Sequence, residues 1–176
     1  MSPDVRMRGF RERADVETVV AEIDRRVRRL LDESVPLLEA SDRVLARDAA
    51  SAVDVPAFAR SAMDGYAVVA SETFGATPDD PCVFRVVGQS LPARPADAAV
   101  TPGTSVRIMT GAPLPDGADA VVPVEQTDAD ETSVRVTQPV TPGKNVGAVG
   151  EDVERGSVVL DAGRRLRPHD VGVLSS

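Results

Sequence analysis

The sequence predicts a mixed α+β fold that is mostly β, with a β-rich lobe over residues 55–139 inserted into a lobe made by the two chain ends, 15–54 and 140–176. Three observations carry this. Apolar residues make up 42% of the chain but aromatics only 3%, and Trp is absent, so the core is built from Val, Ala and Leu, a mix that favours strands. The 13 Gly and 14 Pro cut the middle of the chain into short segments, as turns between strands do. Helical periodicity is confined to regions near the two ends.

The elements follow in order. Residues 1–14 are polar and read as a flexible N-terminus. From Asp15 the apolar positions Val16, Val19, Val20, Ile23, Val27, Leu30 and Leu31 recur at helical spacing. Asp15 suits the N-cap, and the arginine pairs 25–26 and 28–29 suit the C-terminal end of the dipole. Interleaved with Asp24, these arginines read as a solvated helix face rather than a phosphate patch. A short strand is expected over Ser34–Glu39 and a short helix over Ser41–Arg47. Strands follow at Ala67–Ala70, Val83–Val87, Ser105–Met109, Ala120–Val124 and Ser133–Val136, with Thr127–Glu131 as an acidic hairpin tip. A Gly150-Glu-Asp-Val loop, a Val158–Leu160 strand and a helix over His169–Leu174, opened by Pro168, complete the chain.

Charge and composition exclude several classes. The formal net charge of −8 disfavours nucleic acid and anionic membranes as partners. Lys144 is the only lysine among twenty basic residues, which fits a high-salt adaptation or a GC-rich genome. Cys82 is single, so there is no intramolecular disulfide and no cysteine metal cluster, and His169 is the only histidine. No apolar run reaches membrane-spanning length and the N-terminus lacks a signal-type apolar stretch, which makes the cytoplasm the expected location.

Two polar turns stand out. In Asp54-Val-Pro-Ala-Phe-Ala-Arg-Ser-Ala-Met-Asp-Gly-Tyr66, Pro56 biases Val55 towards extended geometry and Gly65 admits the positive φ of a tight turn. Arg107-Ile-Met-Thr-Gly-Ala-Pro-Leu-Pro-Asp-Gly-Ala-Asp119 repeats the theme with Thr110-Gly111. In an arbitrary protein each is an ordinary turn; together they mark a surface that holds something. Arg107 reads as a cross-strand ion-pair partner, and Glu125 as a strand cap or an arginine partner. Glu151 and Asp152, adjacent on an extended chain, point apart and read as a structural turn. His169 reads as exposed and Cys82 as a small core residue.

The order and density of these segments resemble the N-terminal region of the molybdopterin molybdenumtransferase family, the MoeA/gephyrin E-domain type. The resemblance runs over about residues 15–176. It rests on Leu45-Ala-Arg-Asp48 leading into Asp54-Val-Pro56, on Ser61-Ala-Met-Asp-Gly-Tyr-Ala-Val68, and on Arg107-Ile-Met-Thr-Gly-Ala-Pro113 with Gly117-Ala-Asp-Ala-Val-Val122 and Glu125. Gly150-Glu-Asp152 and Gly156 close it.

The resemblance implies a MoeA N-terminal-region-like fold and a role in molybdenum cofactor biosynthesis. Such proteins insert molybdate into adenylylated molybdopterin with a divalent cation, taken as Mg²⁺, and release AMP. It further implies that Asp64 and Thr110 are the catalytic residues, with Asp64 also the metal ligand and Thr110 donating to molybdate. Ser61 and Gly111 would shape the substrate-binding loops, and the cleft would form in a homodimer. The family continues with an α/β domain carrying much of the pterin and nucleotide site, whereas this sequence stops at Val173-Leu-Ser-Ser176. The stretch Asn145-Val-Gly-Ala-Val-Gly-Glu151 also lacks an arginine often present between its two ends. These departures leave open a non-catalytic dimerisation or docking module, half of a split enzyme completed by a separate α/β-domain chain, and a general oxyanion-binding domain.

Overall fold

The computed structural model describes residues 14–176, so the expected flexible N-terminus lies, apart from Ala14, outside the described residues. Two compact units divide at Ala40 and Ser41. In the first, α1 spans Val16–Arg26, with the Asp15 carboxylate accepting from the Thr18 N–H at 2.7 Å. Its apolar stripe is exposed throughout. The helix stops short of the predicted Leu31 because Val27 is extended. Continuing it would stack Arg25 against Arg28 and Arg29 at i, i+3 and i, i+4, where like charges destabilise. Glu22 pairs with both Arg25 and Arg26. The strand expected over Ser34–Glu39 is instead a 3-10 turn, Leu37–Glu39, opened by Pro36, whose carbonyl accepts from the Glu39 N–H.

The second unit holds ten strands and α2, in the order β1 (Ala49–Ala50), β2 (Arg60–Ser61), β3 (Gly65–Val68), β4 (Cys82–Ser90), β5 (Thr104–Ile108), β6 (Ala120–Pro123), β7 (Thr127–Ala129), β8 (Ser133–Val136), β9 (Val146–Gly147), β10 (Val158–Leu160) and α2 (Pro168–Ser175). The helix expected over Ser41–Arg47 does not form. Asp42 adopts a positive φ, and the Asp42 and Leu45 N–H groups donate to the Leu166 and Arg164 carbonyls rather than back along their own segment. The segment around β1 runs antiparallel to that around β10, from Val44 opposite Arg165 to Val55 opposite Val153.

Six strands form the main sheet, ordered β6-β3-β5-β4-β8-β7, antiparallel except for β4–β5. Strand alternation produces two cores. Tyr66, Val68, Ala120, Val122, Val134 and Val136 pack with Phe84 in one cluster, while Ala67, Val106, Ile108 and Val121 pack in the other. Strands β3 and β6 are buried along their whole length, which explains why neither carries a charged residue. The outer edge of β6 is covered by the 143–145 segment: Val121 donates to the Lys144 carbonyl, and the Asn145 side chain donates to the Val121 carbonyl at 2.8 Å. Cys82 is half-buried against the first core, and His169 is exposed. Among the described residues no helix is long and apolar enough to cross a membrane.

Candidate active-site cleft

The two polar turns meet because β3 and β5 pair antiparallel. Gly65 at the start of β3 lies opposite Ile108 at the end of β5, so the loop entering one strand abuts the loop leaving the other. Backbone bonds knit them. Ser61 donates to the Ala112 carbonyl at 2.9 Å, Gly111 donates to the Ser61 carbonyl at 2.8 Å, and Leu114 donates to the Ala59 carbonyl. Gly111 has φ +79°, the left-handed region that favours glycine, so this turn needs that residue. Gly65 differs from the sequence expectation: it is not among the positive-φ glycines, and its role is to lack a side chain. A Cβ there would fall 1.9 Å from the Val122 carbonyl oxygen.

Asp64 and Thr110, 46 residues apart, are in direct contact. Asp64 Oδ1 accepts from both the backbone N–H and the hydroxyl of Thr110, each at 2.7 Å. These two bonds, hydroxyl first, and the charge of Arg107 hold the Asp64 carboxyl below its ordinary value of 3.8. It is therefore ionised at neutral pH, and both residues are exposed. Among the described residues no donor reaches Asp64 Oδ2. Arg107 thus acts on Asp64 through its charge, and no ion pair within 4 Å joins it to any described residue, unlike the cross-strand pair expected for it. Glu125 lies exposed in a 3-10 turn, Val124–Gln126, likewise without an ion pair among the described residues.

Beside this contact opens a cleft of about 360 Å³, whose lining includes Arg60, Ser61, Thr110, Gly111, Asn145 and Glu151. Three of the four residues singled out from the sequence thus lie in its wall, and Asp64 is joined to it through Thr110. Ser61 is buried, and its hydroxyl donates to the Met63 carbonyl, which braces the 61–64 turn. Sequence reasoning did not anticipate Arg60. It stands on β2 opposite Gly147 on β9, and its Nη2 donates to Glu151 Oε1 at 2.7 Å and to Asp152 Oδ2 at 3.2 Å. The neighbouring acids therefore converge on one guanidinium instead of pointing apart, because they lie in a turn rather than on an extended strand. The available signal was a cation next to Ser61 with two acids at the end of the glycine-rich 145–151 segment.

For Mg²⁺ the donor set is sparse. No group of three potential metal-ligating side chains occurs among the described residues. Asp64 Oδ2 alone fits a Mg²⁺ site of the kind that uses one carboxylate and completes its shell with water and substrate oxygens.

Residues 14–176 match the MoeA N-terminal region (domain I and II). The chain belongs to the MoeA family. Among its relatives, molybdopterin molybdenumtransferase 2 of Mycobacterium tuberculosis is 45% identical over 161 residues, covering 91% of this chain and 39% of the relative. The molybdopterin molybdenumtransferase of Synechococcus elongatus is 38% identical, covering 88% of this chain and 38% of the relative. The crystal structure of the molybdopterin biosynthesis MoeA protein of Pyrococcus horikoshii OT3 superposes with a TM-score of 0.75 at 41% identity, over 81% of this chain and 38% of that one. The mostly β architecture is therefore that of MoeA proteins. The chain spans about two fifths of the length of these relatives.

Proposed function

We propose that this MoeA-family chain serves molybdenum cofactor biosynthesis, contributing the Asp64–Thr110 cleft in which molybdate is inserted into adenylylated molybdopterin and AMP leaves. The observation that carries the reading is the contact between Asp64 and Thr110, drawn from two distant loops onto one open cleft. The names of the relatives support molybdopterin and molybdenum as substrates, while the adenylylated form and the release of AMP come from the family resemblance. Asp64 holds its negative charge at neutral pH and offers Oδ2 to Mg²⁺. When bound, that ion would neutralise charge on the oxyanion and the phosphates. Thr110 keeps Asp64 oriented. Its single hydroxyl hydrogen points at the carboxylate, so it can donate to molybdate only when that bond opens. The active assembly is a homodimer.

The test titrates molybdate and adenylylated molybdopterin, with Mg²⁺, into the chain and into Asp64→Ala. Affinity should fall by about tenfold or more in the variant, the worth of one charge-assisted interaction. Equal binding by parent and variant would remove Asp64 from the site. A second reading, a docking or dimerisation module, is favoured by the exposed apolar stripe of α1. Turnover by the chain alone would exclude a module without catalysis. Turnover only after adding a separately expressed α/β domain would identify half of a split enzyme.

A further inference from the structure

We propose that Arg60 is the anion-binding residue of the cleft, held by Glu151 and Asp152 until a tetrahedral oxyanion takes its guanidinium. The inference deepens the proposed function and rests on it only for which oxyanion is bound.

A protein with net charge −8 repels an anion, so the cleft must supply local hydrogen-bond donors. Nearly all those in its wall are committed. The Thr110 N–H and hydroxyl donate to Asp64, the Gly111 N–H to the Ser61 carbonyl, and the Ser61 N–H to the Ala112 carbonyl. The Ala62 N–H donates to the Asn145 carbonyl, the Ser61 hydroxyl to the Met63 carbonyl, and the Asn145 amide gives one hydrogen to the Val121 carbonyl. The 145–151 segment brings no cation of its own. The second Asn145 amide hydrogen and the Nη1 end of Arg60 remain, and of these only Arg60 carries the positive charge an oxyanion needs.

Its geometry suits the task. Of five guanidinium hydrogens, those on Nε and Nη2 reach the two carboxylates, at 3.2 Å from Nε and 2.7 Å from Nη2 to Glu151 Oε1 and at 3.2 Å from Nη2 to Asp152 Oδ2. The two hydrogens on Nη1 meet no acceptor among the described residues. Release of the 3.2 Å contact to Asp152 leaves one N–H on Nη2 beside the free N–H of Nη1, and that parallel pair matches two oxygens of a tetrahedral dianion. Arg60 and Glu151 are each about one-third exposed. At that exposure an ion pair is weak enough to exchange partners. The Glu151 carboxylate also lies where a side chain at position 147 would stand, 2.6 Å from an ideal Cβ, so Gly147 leaves room for this pairing. Glu151 is thus a competitor for the site as well as a brace.

Opposite signs follow for two substitutions, and equilibrium titration of the chain with sodium molybdate reads both. Sulfate, inorganic phosphate and AMP form parallel arms, and denaturant unfolding checks each variant. Arg60→Ala should weaken binding by about tenfold or more, and Arg60→Lys should recover only part of it because the fork is lost. Glu151→Gln should bind several-fold more tightly, since a competing charge is gone. A purely structural ion pair would make Arg60→Ala and Glu151→Gln weaken binding alike, and that result overturns the proposal. So does unchanged affinity in a folded Arg60→Ala, or no anion binding by the parent at millimolar concentration. Equal affinity for sulfate and molybdate, both dependent on Arg60, would retain this inference while removing the molybdate reading. Preference for AMP would assign the fork to the nucleotide phosphate.

Discussion

Replacing Gly65 with alanine is expected to cost about 3 kcal/mol or more of stability, the upper range for overpacking a tight core. The new methyl would lie 1.9 Å from the Val122 carbonyl oxygen and 2.9 Å from its carbon. Both belong to backbone and cannot rotate away. Strand β3 lies between β5 and β6, and β6 is buried along its length, so relief requires the sheet to open. For a chain of this size the loss corresponds to roughly 6–12 °C in Tm. Gly143→Ala is the control: it has φ +76° but nothing within 4 Å of the added Cβ, so only local strain of about 1–2 kcal/mol is expected. Denaturant midpoints of the two variants provide the check. A Gly65→Ala protein as stable as the parent would show that β3 and β6 are not held at the described spacing. Because Gly65 follows Asp64 directly, the same substitution should also weaken anion binding in any fraction that folds.

The second large effect concerns Asp170, a buried carboxylate at the third position of α2. Arg164 Nη2 donates to its Oδ1 at 2.9 Å, and the Arg167 N–H donates to its Oδ2 at 2.9 Å, capping the helix. Asp170→Ala leaves both donors without their acceptor, and a Tm fall on the order of 10 °C is expected. Asp170→Asn keeps an oxygen for the Arg167 N–H but no charge for Arg164, so its fall should be smaller. The pH dependence has a defined sign. Arg164, then the Arg167 N–H, holds the carboxyl below its ordinary 3.8. The stabilisation is therefore complete above that value and is lost as acid carries the pH down through the lower folded one. Thermal melts of the parent should drop across this window, and those of Asp170→Asn should drop less steeply. Parallel curves would show that the pair adds nothing to acid stability.

Much of the fold was legible because the middle of the chain obeys a local rule. The alternation in Ser133–Val136 is a case in point: it places Val134 and Val136 on one face, and the strand occurs at those residues. The Val158–Leu160 strand and the helix opened by Pro168 were readable from equally local signals. The errors fall where local pattern met a distant partner or a local charge. Ser41–Arg47 looks helical in isolation, yet the Asp42 and Leu45 N–H groups find carbonyls at 164–166. The arginine run after Ile23 continues an apolar stripe, but its like charges at i, i+3 and i, i+4 disfavour a further turn of helix, and Val27 is extended.

The candidate site divides along the same line. Asp64, Thr110, Ser61 and Gly111 could be picked out because their turns are dense in polar and glycine residues and resemble a known family. Turn chemistry and side-chain period act between neighbours, so the order of residues alone was enough to establish a valine-built β architecture, two polar turns and the family. What the order could not reveal was which turn faces which, that Gly65 serves close strand approach rather than turning, or that Glu151 and Asp152 share Arg60. Those depend on strand register between segments 46 to 92 residues apart. Register is set by burying one face of each strand against the rest of the molecule, so only the assembled sheet could decide it.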